Sequence, residues 1–412
     1  MTKSPKTIKI TPRDPLVARD GRPFSEGKRM KSLDWIRPSV VIGSLRTLVG
    51  KLNQKGFNKN TIKELKDISI TGPFPYVNNK LYFPTPLDMV LKEEGTQNSE
   101  GEKSTYTSIH QLKPGKYNEG EGSTLPRYLS PAMLYPKEQF KPLKRPAFCS
   151  KNQMTQWLLT KDIKTSELNK LLQYNKKDGS FFNNNNVINF PKKEERIHLK
   201  ICPESGSAEE GKLFSSIGLD MNIHDNNGDI LPLEMLAKLD TDIPQNELFK
   251  IISKLNHIHP CGGERRLVKW NICNNLEKIW ECPKEIQEAI KREKKLRMVL
   301  ATPAIFENGW LPGWLTIKEE HETKCIGTIP GTEIEVQLVS VVNERWQPLS
   351  GWSYERNKPK PISRMVPAGS VYFFKITNSV SDEDIANMWL QSVCDDTQLK
   401  KDGFGLSLWG IW

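Results

Sequence analysis

Apolar positions at the start of the chain follow two rhythms. A short apolar run from Thr7 to Ile10 predicts a first strand over Thr7–Thr11. Val41, Leu45, Leu48, Val49 and Leu52 then recur at i, i+4, i+7, i+8 and i+11, which is one apolar face of a helix. Ser39, directly after Arg37-Pro38, is the residue type that caps such a helix. "DISITG" and "KLYFP" predict two further strands joined by a Pro/Asn-rich turn. Strand, helix, strand, strand is the opening of a βαββαβ unit of the ferredoxin-like kind.

Between residues 91 and 190 the pattern dissolves into "KEEGTQNSEGEKSTYTS" and "NKKDGSFFNNNN", with "MTQWLLTKDIKTSELNKLLQY" as a small helical insertion between them. Order returns with the strand "LVKWNIC", the helix "KEIQEAIKREKK" and the strands "RMVLATP", "EIEVQLVSVV" and "SVYFFKI". A helix over Asp382–Gln391, with Ser381 as its cap, and a final strand "LSLWGIW" complete a second βαββαβ pattern. The expectation is an α+β chain of two fused ferredoxin-like domains, 1–210 and 211–412, with long polar loop and helical insertions at about 91–190 in the first.

Length and charge sharpen this picture. A chain of 412 residues fits two domains, and 60 Lys plus Arg against 49 Asp plus Glu leave a formal charge of +11. That balance suits a polyanionic partner, nucleic acid or an anionic surface, or serves solubility alone. The N-terminus lacks the apolar core of a secretory signal, and no stretch reaches the ~18 apolar residues of a membrane span. Seven scattered cysteines point to a reducing compartment rather than a disulfide framework. The expectation is a cytoplasmic protein without membrane contact.

Little in the chain suggests catalysis. No P-loop, GxSxG or HExxH occurs, and no convincing nucleophile–base pair. His257, His259, Cys261, Cys273 and Cys282 match no common zinc spacing and read as loop and core residues. "HDNNGD" contains Asn227-Gly228, a hairpin signal, and reads as a turn. Neither a metal nor a cofactor is expected. The run Lys284, Lys291, Arg292, Lys294, Lys295 and Arg297 is either a solvated face or one turned toward RNA or a partner.

Three stretches suit phosphate binding. "RDPLVARDGRPFSEG" sets Arg19 and Arg22 on either side of an Asp20-Gly21 turn, with Phe24 beyond. "GGERR" delivers Arg265 and Arg266 to the start of a strand. Gly403 and Gly405 precede the last strand, where glycines let backbone N–H groups approach a phosphate, or merely shape a tight turn.

Several motifs resemble, in order, one family: "DPLVARDGRPF", "RPSVVIGSLRTLVG", "YFPTPLDMV", "GGERR", "SGWSYERNKPKPISRMVPAGSVYFF" and "GFGLSLWG". They are similar to the RAMP-superfamily subunit that holds the crRNA 5′ tag in type III-B CRISPR effector (Cmr) complexes. The likeness runs from about residue 10 to 412 and leaves out the 91–190 insertions. It implies two RRM-like domains and a non-catalytic, RNA-binding subunit of a ribonucleoprotein. The implied partners are the crRNA tag, the large polymerase-cyclase subunit, neighbouring RAMP backbone and small subunits and, indirectly, target RNA. Arg19, Asp20, Gly21, Arg22, Phe24, Ser39, Arg46, Arg265, Arg266, Lys360, Arg364, Gly403 and Gly405 are the implied RNA-binding positions. Ser39 and Arg46 enter because a helix N-terminus seats a phosphate and Arg46 would lie along the same groove. Alternatively, Arg19, Asp20 and Arg22 buttress two domains, and Arg46 bridges helix and sheet. Val17-Ala18 departs from the family's aromatic pair, which removes a stacking position. The runner-up function is a metal-independent endoribonuclease of the same superfamily, which needs a general acid and base, usually with a histidine; none of the six histidines sits in a matching motif.

Overall fold

Alternation along β1 (Lys6–Pro12) buries Ile8 and Ile10 on one face and Thr7 on the other. The computed structural model describes residues 6–19, 32–97, 103–135, 137–161, 174–175, 180–181, 186–225, 228–239, 247–319, 322–353 and 355–412. The Ile face of β1 packs under α1 (Pro38–Leu52), whose Val41, Leu45, Leu48 and Val49 are buried as the spacing requires. Ser39 is not the cap. Arg37 holds the N-cap position without a capping hydrogen bond from its side chain, because Pro38, whose missing N–H is no loss in a first turn, begins the helix two residues earlier than a Ser39 cap would.

The first sheet has eight strands. Besides β1 they are β2 (Ile70–Val77), β3 (Lys80–Pro84), β4 (Phe148–Ser150), β5 (Val187–Ile188), β6 (Glu234–Leu239), β7 (Asn256–Pro260) and β8 (Leu267–Cys273), in the order β5-β4-β3-β2-β6-β1-β8-β7. The central four, β2-β6-β1-β8, are antiparallel throughout. Counted along the chain they stand second, third, first, fourth. The helix α1, followed by the shorter α2 (Lys59–Asp67), joins the first to the second, and α4 (Glu247–Ser253) lies between the third and fourth.

The second sheet repeats this order. Its strands are β9 (Lys295–Leu300), β10 (Leu315–Glu319), β11 (Thr323–Thr328), β12 (Glu335–Val342), β13 (Val371–Ile376) and β14 (Ser407–Ile411), arranged β10-β11-β12-β13-β9-β14. The stretch β12-β13-β9-β14 is again second, third, first, fourth and antiparallel. A β10–β11 hairpin replaces the helix between its first and second strands. The helix α5 (Lys284–Arg292) precedes its first strand, and between its third and fourth lie α6 (Asp382–Met388), capped by Ser381 in a reciprocal box with Asp384, and the short α7 (Thr397–Lys401).

Three expectations change. "LVKWNIC" (β8) does not open the second unit: it pairs with β1 and β7, so the chain leaves the first sheet after Cys273 rather than at 210/211. "KLYFP" (β3) is not the third central strand, since β6 takes that place and β3 pairs on the far side of β2. The 91–190 stretch is not uniformly irregular. Met89–Gln97 pairs with Lys103–Pro114 as a hairpin, and α3 (Lys151–Leu159) is a core element whose Met154, Trp157 and Leu158 are buried. Of the expected insertion helix, 154–174, the helical part ends at Leu159 and Tyr174 lies in a two-residue strand, while 162–173 lies outside the described residues.

The second face of the first sheet meets the second half of the chain. Phe74 and Leu236 share a buried cluster with Trp280, Leu296 and Trp409, and Trp280 Nε1 donates to Thr7 Oγ1 at 2.9 Å. Arg297, which the sequence placed in a basic run, is fully buried here. Its Nη1 donates to Asp88 Oδ2 at 2.8 Å and its Nη2 to the Trp157 carbonyl, while Trp157 Nε1 donates to Asp88 Oδ1 at 2.9 Å.

Candidate nucleic-acid interface

The segment Arg13–Arg19 crosses the first half as a strap held by its backbone. Arg13 N donates to Leu267 O at 2.9 Å, and Asp14 Oδ2 accepts from Leu267 N at 2.8 Å. Leu16 and Leu219 exchange both backbone hydrogen bonds, at 3.0 and 2.7 Å, which ties the strap to the long hairpin Lys192–Ile201/Ala208–Asp220. Leu16, Val17 and Ala18 are buried, so Val17-Ala18 serves packing and offers no stacking face. Arg19 is exposed at the end of the strap, where it bridges to Ser32. Asp20, Gly21, Arg22 and Phe24 lie outside the described residues.

The "GGERR" turn docks on this strap. Gly263 N donates to Val17 O at 2.8 Å. Gly262 sits at φ +84, and a Cβ built there would lie 2.6 Å from Val17 O, so only glycine permits both the turn and the close approach. Glu264 and Arg265 follow with φ of 54 and 52, a left-handed pair that costs on the order of 1 kcal/mol or more each. The result separates the two arginines. Arg266 is half-buried and pairs with Glu264 Oε2 at 2.9 Å, whereas Arg265 is exposed and makes no hydrogen bond or ion pair among the described residues. The N-terminal part of α1 is fastened beside the turn, with Ser44 Oγ donating to Pro260 O at 2.5 Å. His259 is buried there, and desolvation holds its pKa below the usual histidine value, with Lys51 adding to the effect. The strap, the arginine turn and α1 thus meet on one face.

Four other expected positions have different roles. Gly403 and Gly405 are buried rather than open to a phosphate. A Cβ on Gly403 would lie 2.6 Å from Gly72 O in β2, and one on Gly405 2.6 Å from Cys394 Sγ. The glycine loop is therefore a joint between the two sheets. Arg46 does not line a groove. Its Nη1 pairs with Asp402 Oδ1 at 2.5 Å, and its Nη2 donates to the carbonyls of Ile68 at 2.7 Å and Lys66 at 3.1 Å. Ser39, in the first turn, is half-exposed. Of the candidate metal ligands, Cys261 is buried and its thiol pushed up to about 12 by desolvation, and no three His, Cys, Asp or Glu side chains come together among the described residues.

Lys360 and Arg364 stand apart from this face, on an arm built from two short ladders, Gln347–Leu349 with Ser363–Met365 and Trp352–Ser353 with Lys358–Pro359. Both are exposed, and the Arg364 guanidinium lies 4.8 Å from the centroid of the Trp346 ring. Reading the sequence missed Trp346 as a surface residue. The signal was an aromatic stranded in the polar run "NERWQPLSGW".

Comparison with known proteins finds a family whose model matches nearly the whole chain. The model of the family described as CRISPR-associated protein (Cas_Cmr3) matches residues 8–412. No curated protein matches the sequence. Among solved structures, similarity is found to a chain of the type III-B Cmr-beta complex bound to cognate target RNA and AMPPnP, at 13% identity, covering 89% of this chain and 86% of that one, with a TM-score of 0.42. The same complex bound to cognate target RNA gives 14% identity with the same coverage and a TM-score of 0.43. A chain of the type III-A Csm3–Csm4 subcomplex gives 12% identity, 92% and 95% coverage and a TM-score of 0.38.

Proposed function

The chain belongs to the Cas_Cmr3 family of CRISPR-associated proteins, and from that premise we propose that it is the non-catalytic subunit that grips the 5′ tag of crRNA in a type III-B effector complex. It docks on the large polymerase-cyclase subunit, beside RAMP backbone and small subunits, and meets target RNA only through the guide. The repeated second-third-first-fourth strand order supports reading the two halves as ferredoxin-like, RRM-like units. Among the described residues no helix is long and apolar enough to cross a membrane, and a cytoplasmic location is part of the proposal.

The observation that carries the reading is the union of the strap with the "GGERR" turn. Two motifs about 250 residues apart in sequence are locked backbone to backbone, and each carries an exposed arginine, Arg19 and Arg265. Rigid presentation of guanidinium groups suits the phosphates of a single strand, which position an RNA without reading its sequence. Arg22, which lies outside the described residues, belongs to the same proposed contact.

Crosslinking of the assembled complex with ultraviolet light, followed by peptide mapping, tests this. Crosslinks to the tag are expected in peptides spanning the strap and the arginine turn. The Arg19→Ala, Arg22→Ala double variant should flatten the salt dependence of tag binding by roughly 1.4 in log–log slope, at about 0.7 per lost phosphate contact. Intact affinity with an unchanged slope makes these arginines internal struts. Specific cleavage of repeat RNA by the purified chain in EDTA would replace the reading with an endoribonuclease.

A further inference from the structure

The arm spanning residues 343–366 exposes groups that a folded chain normally hides. Trp346 and Trp352 retain 52% and 48% of their surface in solvent. The arm carries two acidic side chains, and both are neutralised from the body of the protein: Glu344 by Arg145 at 2.7 Å and Glu355 by Lys66 at 2.6 Å. Its basic side chains are left over. Arg345, Arg356, Lys358 and Lys360 are exposed and form no ion pair among the described residues, and Arg364 spends its charge on the Trp346 ring.

The frame is pre-formed rather than a loose loop. Lys360 N donates to Gly351 O at 2.8 Å and Ser350 Oγ to Lys360 O at 3.1 Å, which joins the two ladders into one ribbon. Asn357, at φ 47, makes the turn at its tip. The ladder fixes the backbones beside both indoles, so less ordering is left for a ligand to impose. At ~3.3 Å per residue the six steps from Trp346 to Trp352 span up to about 20 Å of extended chain, room for several nucleotides.

Separated aromatic rings, unpaired cations and neutralised carboxylates form the combination that binds single-stranded nucleic acid, by base stacking plus backbone charge. A protein partner would be expected to meet some unpaired acidic groups on a rim, and none is left here. We propose that this arm is a stacking platform for single-stranded RNA, with Trp346 and Trp352 as the base-stacking residues and the neighbouring cations tracking the phosphates. The proposal rests on the reading of this chain as an RNA-binding subunit and adds to it a second contact, tolerant of sequence and carried by residues other than those of the strap.

The test uses the full chain, and the assembled complex in parallel, with an unstructured oligouridylate and a tag-bearing crRNA as probes. Trp346→Ala and Trp352→Ala should each weaken oligouridylate binding about tenfold, as expected for loss of one stacked base, with the salt slope unchanged because no charge is removed. Trp346→Phe, which keeps a ring, should restore most of the loss. The triple change Arg356→Ala, Lys358→Ala, Lys360→Ala should lower the slope by roughly 2. All these positions are exposed, and unchanged circular dichroism melting confirms folding. Unaltered RNA affinity in the Trp→Ala variants overturns the platform while leaving the family reading intact. Loss of a partner subunit with RNA affinity kept makes the arm a protein-docking surface and also overturns it. If the strap variants lose the tag while the Trp variants lose oligouridylate, the two contacts are separate and the proposal holds.

Discussion

Arg297 and Asp88 form an ion pair at 2.8 Å with neither side chain exposed to solvent. Arg297 sits on β9 of the second sheet and Asp88 just beyond β3 of the first, so the pair crosses the junction between them. Desolvation pushes the Arg297 guanidinium below its ordinary value, and Asp88 opposes that shift through charge and hydrogen bonding. Trp157 closes the group, giving its indole N–H to Asp88 and its carbonyl to Arg297.

Removing one partner strands the other charge in the core. Arg297→Ala or Asp88→Ala should each cost about 3–5 kcal/mol in guanidinium chloride unfolding. The double change Arg297→Met, Asp88→Leu should recover only part of this, because the Trp157 N–H and carbonyl lose their partners as well, at about 1–3 kcal/mol per unsatisfied group. A double variant as stable as the parent would show that the tryptophan contacts contribute nothing.

Arg46 provides a second tie across the junction, to Asp402, 356 positions away in the chain. Arg46→Ala should lower stability by about 1–3 kcal/mol, since Asp402 and the Ile68 carbonyl are left in a half-closed site. The salt slope of tag binding should not move. A changed slope with an unchanged melting temperature would return Arg46 to the RNA.

Local rhythm made β1, α1, β8, β9, β12, β13, β14 and the Ser381 cap legible, because each depends on a period or a capping residue within a few positions. Pairing across the chain was not legible. Nothing in "KLYFP" says that the third place in the sheet goes to Glu234–Leu239, since both are short apolar strands and the choice is made by tertiary packing. Likewise Arg297 reads as the end of a basic run, and only its pairing in the sheet turns it inward. The glycines at 403 and 405 were legible as positions that need glycine, but not as a joint, because a close approach to β2 and one to a phosphate call for the same residue.

Histidines set the response to mild acid. His259 and His110 both have pKa values lowered, first by burial, so folding favours their neutral forms. Their contribution is fully present above the unfolded value of about 6.5 and is lost as pH falls through the lower folded values. Unfolding free energy should therefore decline from about pH 7 toward pH 5, and His259→Gln should shallow that decline. An unaltered pH profile in this variant would show that His259 protonates without disturbing its contact with Ser44 and Pro260.

Gly403 and Gly331 separate two effects that a glycine substitution usually mixes. Both have positive φ, +86 and +81, so alanine is strained at either site. Around Gly331 a Cβ meets nothing within 4 Å, whereas at Gly403 it would come within 2.6 Å of Gly72 O and 3.1 Å of Ile70 O, both backbone atoms that no rotamer change can move. Gly331→Ala should cost about 1 kcal/mol from conformation alone. Gly403→Ala should cost about 3 kcal/mol or more, because relief requires β2 and the C-terminal loop to part. Thermal melts of the two single variants decide the matter. Equal losses would mean that the loop after Asp402 yields freely, and the two sheets would then be held together by Arg297 and the buried tryptophans rather than by the close backbone contact at Gly403.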